Sequence, residues 1–225
     1  MLLGDLRAEI TRICGQLAAD GLVVGTSGNV SARCSGDRCS GDQAGELIAV
    51  TPSGLDYPEL SADLVGVHRS DGSAVEAPLQ PSSEMPLHLS VYAATDAAAI
   101  VHTHSPAATA VSALAEELPA IHYQVAAFGG TVAVAPYATY GTAELAGHVV
   151  TALRGRTACL MANHGAVTIG PDLKTAYTRA AYLEWLCDVY LRAAAAGTPR
   201  LLPAAEIDRV ARKFASYGQR RRAWP

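Results

Sequence analysis

The stretch Ile100–Pro106, Ile-Val-His-Thr-His-Ser-Pro, constrains this chain most. An apolar run ends there in two histidines one residue apart, His102 and His104. Residues i and i+2 of a strand project to the same side, so both imidazoles point to one place. A second apolar run, starting at Cys159, ends in the same way at His164. Three imidazoles and an open position make a catalytic zinc site, so the pattern predicts a metal centre. The alternative is that His102 and His104 are a chance pair or a polar pair whose hydrogen bonds are satisfied.

Composition and charge favour one globular domain spanning residues 1–225. Half of the chain is hydrophobic and 17% is charged, which is enough apolar material for a full core. Lys+Arg 17 against Asp+Glu 21 gives a net charge of −4. The main basic cluster, Arg220–Arg222, lies next to the end of the chain and is typical of a solvated tail. We therefore expect no nucleic-acid partner.

The sequence also predicts a cytoplasmic protein. The segment Met1–Arg7 lacks the basic start and continuous apolar core of a signal peptide. No run reaches the ~20 apolar residues that span a membrane. The five cysteines are odd in number and irregularly spaced, which argues against a disulfide framework. Cys14, Cys159 and Cys187 have apolar neighbours and are predicted to be small core residues.

Hydrophobic periodicity predicts alternating helices and strands. The expected helices span residues 3–20, 83–94, 107–115, 142–153, 173–196 and 204–216. The expected strands span residues 29–33, 47–50, 61–68, 99–102, 131–135, 159–161 and 166–169, the last two as a hairpin. Several strands are joined too tightly for parallel crossovers. The predicted fold is therefore α/β, a three-layer α/β/α arrangement with a central mixed, largely antiparallel sheet.

Three short polar segments contain glycine or precede a helix: Gly25–Ser31, Thr51–Gly54 and Pro81–Glu84. Each offers small hydroxyls and backbone N–H groups, and Ser82 and Ser83 stand where a helix begins, beside unsatisfied N–H groups. Singly, each segment is typical of a plain turn. Together they could hold a phosphate without Lys or Arg. They are neither a Walker loop nor a dinucleotide-binding fingerprint.

Glu84 has two interpretations, a capping glutamate in a first helical turn or a proton carrier beside the metal. His88 follows one turn later on the same helical face and is either a fourth ligand or, as we favour, a core histidine. His68, His122 and His148 have no partner in sequence and are expected to be structural or exposed.

In order, these segments resemble the class II aldolase/adducin family, with the greatest likeness to its L-fuculose-1-phosphate aldolases. The motifs are Gly-Thr-x-Gly-Asn-x-Ser, Thr-Pro-Ser-Gly, Pro-Ser-Ser-Glu, His-x-His, Tyr-Ala-Thr-x-Gly and x-His-Gly. The resemblance extends from Gly21 to Gly218. Six motifs in order are far more specific than any one of them.

The resemblance implies a set of site residues. Zinc, one ion per chain, would be held by His102, His104 and His164. Glu84 would be a ligand of the resting ion and the proton shuttle in catalysis. The residues that match the family's phosphate site are Thr26, Ser27, Asn29, Ser53, Gly54, Ser82 and Ser83.

The resemblance also implies a homotetramer with its sites between subunits. Tyr123 would reach the aldehyde oxygen of a neighbouring subunit's site, and Tyr217 matches a mobile C-terminal tyrosine. The implied activity is zinc-dependent cleavage of a ketose 1-phosphate to dihydroxyacetone phosphate and a small aldehyde. L-fuculose 1-phosphate would give L-lactaldehyde, and a 5-deoxypentulose 1-phosphate would give acetaldehyde.

Three alternatives remain open at this stage. A sugar-phosphate 4-epimerase of the L-ribulose-5-phosphate type would use the same metal, although such relatives generally carry Asp where Glu84 stands. A methylthioribulose-1-phosphate dehydratase is the second alternative, and a non-enzymatic adducin-like module is the third. Three departures from the family pattern concern the part of the site that would hold the aldehyde end of the sugar. Asn163 precedes His164, Pro86 follows closely on Glu84, and Tyr140 stands where an aromatic wall for that end is expected. The connection 35–45 also looks longer than usual.

Overall fold

Nine strands in the described part of the chain form one mixed sheet. The computed structural model describes residues 1–34 and 46–214, so the predicted long connection 35–45 lies outside it. The strands are β1 Asn29–Cys34, β2 Leu47–Val50, β3 Gly66–Arg69, β4 Ala74–Glu76, β5 Ala99–Thr103, β6 Glu117–Leu118, β7 Val132–Ala135, β8 Ala158–Met161 and β9 Gly165–Gly170. Their order is β4-β3-β2-β1-β5-β9-β8-β7-β6. Neighbours are antiparallel except β7 and β8, which are parallel. The predicted mixed, largely antiparallel sheet is confirmed.

Helices cover both faces of this sheet. They are α1 Gly4–Ala19, α2 Met85–Ala94, α3 Pro106–Leu114, α4 Ala143–Ala152, α5 Leu173–Ala196 and α6 Ala204–Phe214. Along β5, Val101 packs with α1 and α5, whereas Ile100 packs with α2 and α4 on the opposite face. This alternation follows from the two-residue period of a strand. Helix α3 packs with α5 against β8 and β9. The α/β/α layering is therefore confirmed.

The sequence predictions failed mainly at the ends and edges of elements. The strand predicted over 61–68 is extended only from Gly66, because Ala62–Leu64 forms a short 3-10 helix. Ser61 donates a hydrogen bond of 2.6 Å to Asp63 there, and such local side-chain bonds compete with strand pairing. Strands β4 and β6 were not predicted. They have three and two residues and form the two edges of the sheet.

The predicted core cysteines are buried and free: Cys14, Cys159 and Cys187. Cys34 is disulfide-bonded, although the number and spacing of the cysteines argue against a disulfide framework. Among the residues that the structure describes, no helix combines the length and apolarity that crossing a membrane requires.

The hairpin between β8 and β9 brings His164 towards β5. The N–H of His164 donates to the carbonyl of Met161 at 3.0 Å. Asn163 has φ of 55°, a left-handed conformation that asparagine tolerates better than most residues. A Cβ on Gly165 would lie 2.2 Å from the carbonyl oxygen of Thr103. Only glycine therefore allows β9 to approach β5 closely enough to bring the two strands' histidines together.

Candidate active site

Glu84 and three histidines meet at the ends of β5 and β8 and at the start of α2. The ligand atoms of Glu84, His102, His104 and His164 all lie within 4.8 Å of one another. The three imidazole rings form a near-equilateral triangle, with centroids 4.7, 4.8 and 5.0 Å apart. The Glu84 Oε2 atom is 2.9 Å from His102 Nε2, and Oε1 is 3.6 Å from His164 Nε2. The fold thus gathers all four residues that the sequence suggests as metal ligands.

The donor atoms of this group fit a divalent metal ion. His102 Nδ1 lies 2.9 Å from the carbonyl oxygen of Ala166, so Nδ1 donates its hydrogen and Nε2 faces the centre. A backbone carbonyl that orients a histidine in this way is typical of metal ligands. Oε1 of Glu84 is buried and has no hydrogen-bond partner among the described residues. A buried carboxylate oxygen without a partner is costly, and a metal ion would satisfy it.

The electrostatics of the group favour a cation at its centre. Burial raises the pKa of Glu84, but His102 and the hydrogen bonds from His102 and Asn29 outweigh burial, so the pKa is well below its usual value. Burial lowers the pKa of His102, but the Glu84 carboxylate raises it above the usual value. Positive charge is therefore stabilised where these two side chains meet.

The other two histidines are kept neutral. Burial, followed by the charges of His102 and His164, lowers the pKa of His104 to about 3. Burial, followed by the charge of His102, lowers the pKa of His164 to about 4. Both imidazoles are therefore neutral at pH 7, which is the state that binds metals.

A cavity of about 290 Å³ opens next to the metal group. Glu84, His104 and His164 line one part of it. All residues that match the family's phosphate site also line it, namely Thr26, Ser27, Asn29, Ser53, Gly54, Ser82 and Ser83. Its lining, within the ranges that the structure describes, includes neither Lys nor Arg. An anion in this cavity would therefore be bound by hydroxyls, backbone groups and an asparagine amide.

Two serines of this cavity already make local hydrogen bonds. The Ser27 hydroxyl donates to the carbonyl of Val24 at 2.6 Å. The Ser82 hydroxyl accepts from the N–H of Glu84 at 3.2 Å. The helix predicted from residue 83 begins two residues later, at Met85, and Glu84 rather than a serine occupies its N-cap position. Ser82 instead stabilises the turn that aims Glu84 at the histidines.

Two further residues line the cavity beside Tyr140, namely Tyr137 and Asn163. Tyr137 begins the Tyr-Ala-Thr-x-Gly motif and Asn163 precedes His164, but the sequence analysis gave neither a role in the site. Tyr137 and Tyr140 are 63% and 66% exposed, so two aromatic rings stand at the cavity rim. His88 lies outside the metal group. It is fully buried, as we favoured, and is hydrogen-bonded to Asn29.

The remaining histidines make structural contacts. His68 Nδ1 lies 3.3 Å from the carbonyl oxygen of Gly72, and His148 Nδ1 lies 3.0 Å from that of Pro136. His122 accepts a hydrogen bond from the N–H of Gln124 at 3.2 Å.

Tyr123, one of the two tyrosines implied by the family resemblance, does not line this cavity within one chain. Tyr123 is 46% exposed and lines separate cavities, one of them with Tyr182 and Trp185. We call Tyr123, Tyr182 and Trp185 the aromatic patch. Tyr217 lies outside the described residues.

Comparison with known proteins gives one consistent family. The family described as Class II Aldolase and Adducin N-terminal domain matches residues 8–191. A 5-deoxy-D-ribulose 1-phosphate aldolase of Bacillus thuringiensis serovar kurstaki is 39% identical over 97% of this chain and 100% of its own length. A 5-methylthioribulose-1-phosphate/5-deoxyribulose-1-phosphate aldolase of Rhodospirillum rubrum is 39% identical over 95% of this chain and 92% of its own.

A solved structure agrees with these relatives. An L-fuculose 1-phosphate aldolase superimposes with a TM-score of 0.87 at 37% identity, covering 94% of this chain and 96% of that one. The resemblance found in the motifs is thereby confirmed.

Proposed function

Because the chain belongs to the class II aldolase and adducin family, we propose that it is a metal-dependent aldolase that cleaves a ketose 1-phosphate to dihydroxyacetone phosphate and a small aldehyde. One observation carries the proposal: a glutamate and three histidines converge at one part of a cavity whose other walls are hydroxyl-rich loops. That arrangement fits a substrate with a chelating ketone and hydroxyl next to a phosphate.

The metal in this proposal is zinc, one ion per chain, held by His102, His104 and His164 with Glu84 as a further ligand. Three imidazoles and a carboxylate suit Zn²⁺. When bound, the ion would supply Lewis acidity at the ketone oxygen and its neighbouring hydroxyl.

Glu84 is the proton carrier of the reaction. Cleavage breaks the C3–C4 bond, removes the proton of the C4 hydroxyl and adds a proton to C3. In the reverse, condensing direction, Glu84 takes that C3 proton, and its lowered pKa keeps it ionised for this task. Its burial at the start of α2, within hydrogen-bonding distance of His102, fixes the carboxylate where the proton moves.

The hydroxyl-rich loops bind the substrate phosphate. Asn29, Ser53, Gly54 and the segment before Glu84 surround the same cavity, and a bound phosphate supplies binding energy remote from the reacting carbons. Ser27 contributes less hydrogen bonding than the family motif suggests, because its hydroxyl already serves Val24.

The substrate is a deoxy sugar phosphate that releases a small aldehyde. Tyr137 and Tyr140 present aromatic rings at the cavity rim, where they would contact a methyl-bearing fragment better than a polyhydroxylated one. A 5-deoxypentulose 1-phosphate would release acetaldehyde and L-fuculose 1-phosphate would release L-lactaldehyde. Relatives named for both substrate types support this range.

The chain works as one domain in a homotetramer in the cytoplasm. Tyr123 lies outside its own chain's cavity, so it can serve the aldehyde oxygen only in a neighbour's site, where Tyr217 would join it. The aromatic patch is the surface that supports such an assembly, because large exposed aromatic groups are typical of interfaces.

Light scattering on the purified protein is expected to give about four times 23.3 kDa. Tyr123→Phe is expected to keep that mass and to slow cleavage by the ~10²–10⁴-fold typical of a lost general acid. Tyr190→Phe, at a partly buried tyrosine of α5 outside the patch, is the control. A fully active monomer would exclude a shared site.

Substitution of the cavity serines separates binding from chemistry. The double change Ser53→Ala and Ser83→Ala is expected to raise KM for the ketose phosphate roughly tenfold or more, since a hydrogen bond to a charged group contributes about 1.5–3 kcal/mol. Metal content and kcat are expected to stay near wild type. Ser90→Ala, on α2 outside the cavity lining, is the matched control. An unchanged KM in the double variant would mean that the phosphate binds elsewhere.

A panel of ketose 1-phosphates and pentulose 5-phosphates tests the function itself. Released dihydroxyacetone phosphate is measured with each compound. Cleavage of a deoxyketose 1-phosphate supports the aldolase. Interconversion of pentulose 5-phosphates without release of dihydroxyacetone phosphate would replace it with a 4-epimerase.

A further inference from the structure

A line of buried polar side chains runs from the middle of α2 to Glu84. Asn29 and Ser31 are two residues apart on β1 and therefore project to the same face of the sheet. His88 and Tyr92 are one turn apart on α2, which covers that face. All five side chains are at most 4% exposed. Most polar groups buried this deeply have hydrogen-bond partners within the protein.

These side chains are linked by an unbroken series of hydrogen bonds. The Asn29 amide Nδ2 is 3.0 Å from Glu84 Oε2, and His88 Nε2 is 2.5 Å from Asn29 Oδ1. The Ser31 hydroxyl is 2.6 Å from His88 Nδ1 and 2.7 Å from the Tyr92 hydroxyl. Tyr92, the last residue of this series, is thus more than one helical turn from Glu84.

With Asn29 Oδ1 towards a neutral His88, each hydrogen bond in this series has one direction. Asn29 Oδ1 carries no hydrogen, so His88 must donate from Nε2. A neutral imidazole then has a lone pair on Nδ1, which accepts from Ser31, and Ser31 accepts from Tyr92. Burial lowers the pKa of His88 to about 3 and so keeps the imidazole neutral.

This direction has a consequence at Glu84. If the Asn29 amide turned over, its carbonyl oxygen would face the Glu84 carboxylate and its NH2 group would face the His88 N–H. With the imidazole hydrogen on Nε2, both contacts would be repulsive. His88 therefore keeps the NH2 edge of Asn29 towards Glu84. The second hydrogen of that NH2 group remains available at the cavity that Asn29 lines.

We propose that His88 is a positioning residue that acts through Asn29 and holds the Glu84 carboxylate in the orientation needed for metal binding and proton transfer. Its imidazole is hydrogen-bonded to Asn29 and Ser31 and to no member of the metal group. Its role is to prevent the Asn29 amide from reversing, which would repel the carboxylate on which the proposed reaction depends. Removal of such an outer partner typically costs ~10–100-fold in metal affinity or activity.

The first test determines the position of the ring hydrogen in the wild-type protein. Long-range nitrogen–proton NMR spectra of histidine side chains identify which ring nitrogen carries the hydrogen. His88→Met assigns the His88 signal by its loss. We expect neutral His88 with the hydrogen on Nε2 between pH 6 and pH 8. A hydrogen on Nδ1 alone, or a charged ring, would reverse the direction of the bonds and overturn the proposal.

The second test compares two buried histidines of the same sheet system. His88→Met removes both hydrogen bonds of His88. His68→Met is the matched control, because His68 is 1% exposed and lies on β3, two strands away from β1. Both variants are loaded with Co²⁺, whose visible absorption reports on its ligands. Exchange of the C3 hydrogen of dihydroxyacetone phosphate with solvent is then measured at saturating Co²⁺.

His88→Met is expected to change the cobalt spectrum and to slow the exchange by ~10–100-fold. His68→Met is expected to leave both unchanged. A folded His88→Met protein that matches His68→Met in spectrum and exchange would overturn the proposal. If His88→Met does not fold, wild-type spectra still assign His88 by exclusion, using single substitutions of the other six histidines.

The proposal rests on the proposed function, but the two fail differently. If the wild type neither cleaves ketose phosphates nor exchanges the C3 hydrogen, the aldolase function fails. The His88 ring hydrogen and the cobalt spectra would still report on the positioning of Glu84. If the wild type cleaves its substrate and His88→Met behaves like the control, only the positioning role fails.

Discussion

His102→Ala is expected to remove the metal ion and with it the cleavage activity. His102 Nε2 is the meeting point of the group, 2.9 Å from both His104 Nε2 and Glu84 Oε2. Loss of this ligand should weaken metal binding by more than the ~10–100-fold that follows loss of an outer partner. Any ion that remained would depend on Glu84 as a ligand, so the proton carrier would be tied up. A Lewis acid contributes several kcal/mol, so the rate should fall by about 10³-fold or more.

The measurement is metal content after dialysis, together with release of dihydroxyacetone phosphate. His104→Ala and His164→Ala should lose the ion in the same way, and they are the safer variants because these side chains are less buried. His148→Ala, whose ring contacts the Pro136 carbonyl away from the site, serves as the control. Full metal occupancy in any two of the three ligand variants would contradict the metal centre.

Glu84→Gln is expected to keep much of the metal and to lose the chemistry. Glutamine has nearly the same size as glutamate, and three histidines remain as ligands. It cannot carry the proton to or from C3. The rate of cleavage should fall by the ~10²–10⁴-fold typical of a lost general acid–base group. Exchange of the C3 hydrogen of dihydroxyacetone phosphate with solvent should fall in parallel.

Both rates are measured in wild type and variant with bound metal quantified. Glu116→Gln, an exposed glutamate beyond α3, is the matched control and should behave as wild type. If a metal-loaded Glu84→Gln protein exchanged the hydrogen at the wild-type rate, another group would have to be the proton carrier.

The sequence predicted the long and strongly patterned elements of this fold and missed its short ones. Helix α5 was predicted with its observed bounds, Leu173–Ala196, because its 24 residues carry a long helical pattern. The edge strands β4 and β6 have too few residues to show a two-residue period. The pairing order of the sheet depends on contacts between distant segments, which a local pattern does not contain.

The metal residues were accessible to sequence reasoning because their spacing has a direct geometric meaning. The i, i+2 pair His102 and His104 had to share one side of a strand, and His164 ended a second apolar run in the same way. The hydrogen-bond partners around Glu84 could not be predicted from spacing. The contact of Asn29 with His88 depends on how α2 lies on β1, two elements separated by more than fifty residues. Tyr137 likewise reaches the cavity only through the folded path of the chain.

The most direct test of the metal-dependent aldolase is a metal titration of the stripped protein. Zinc is added in steps to protein freed of metal by a chelator, and release of dihydroxyacetone phosphate from a 5-deoxypentulose 1-phosphate is followed at each step. The rate should be negligible without metal, rise in proportion to bound zinc and level off at one ion per chain. Full cleavage by the metal-free protein, or no cleavage at one bound zinc per chain, would contradict the proposed function.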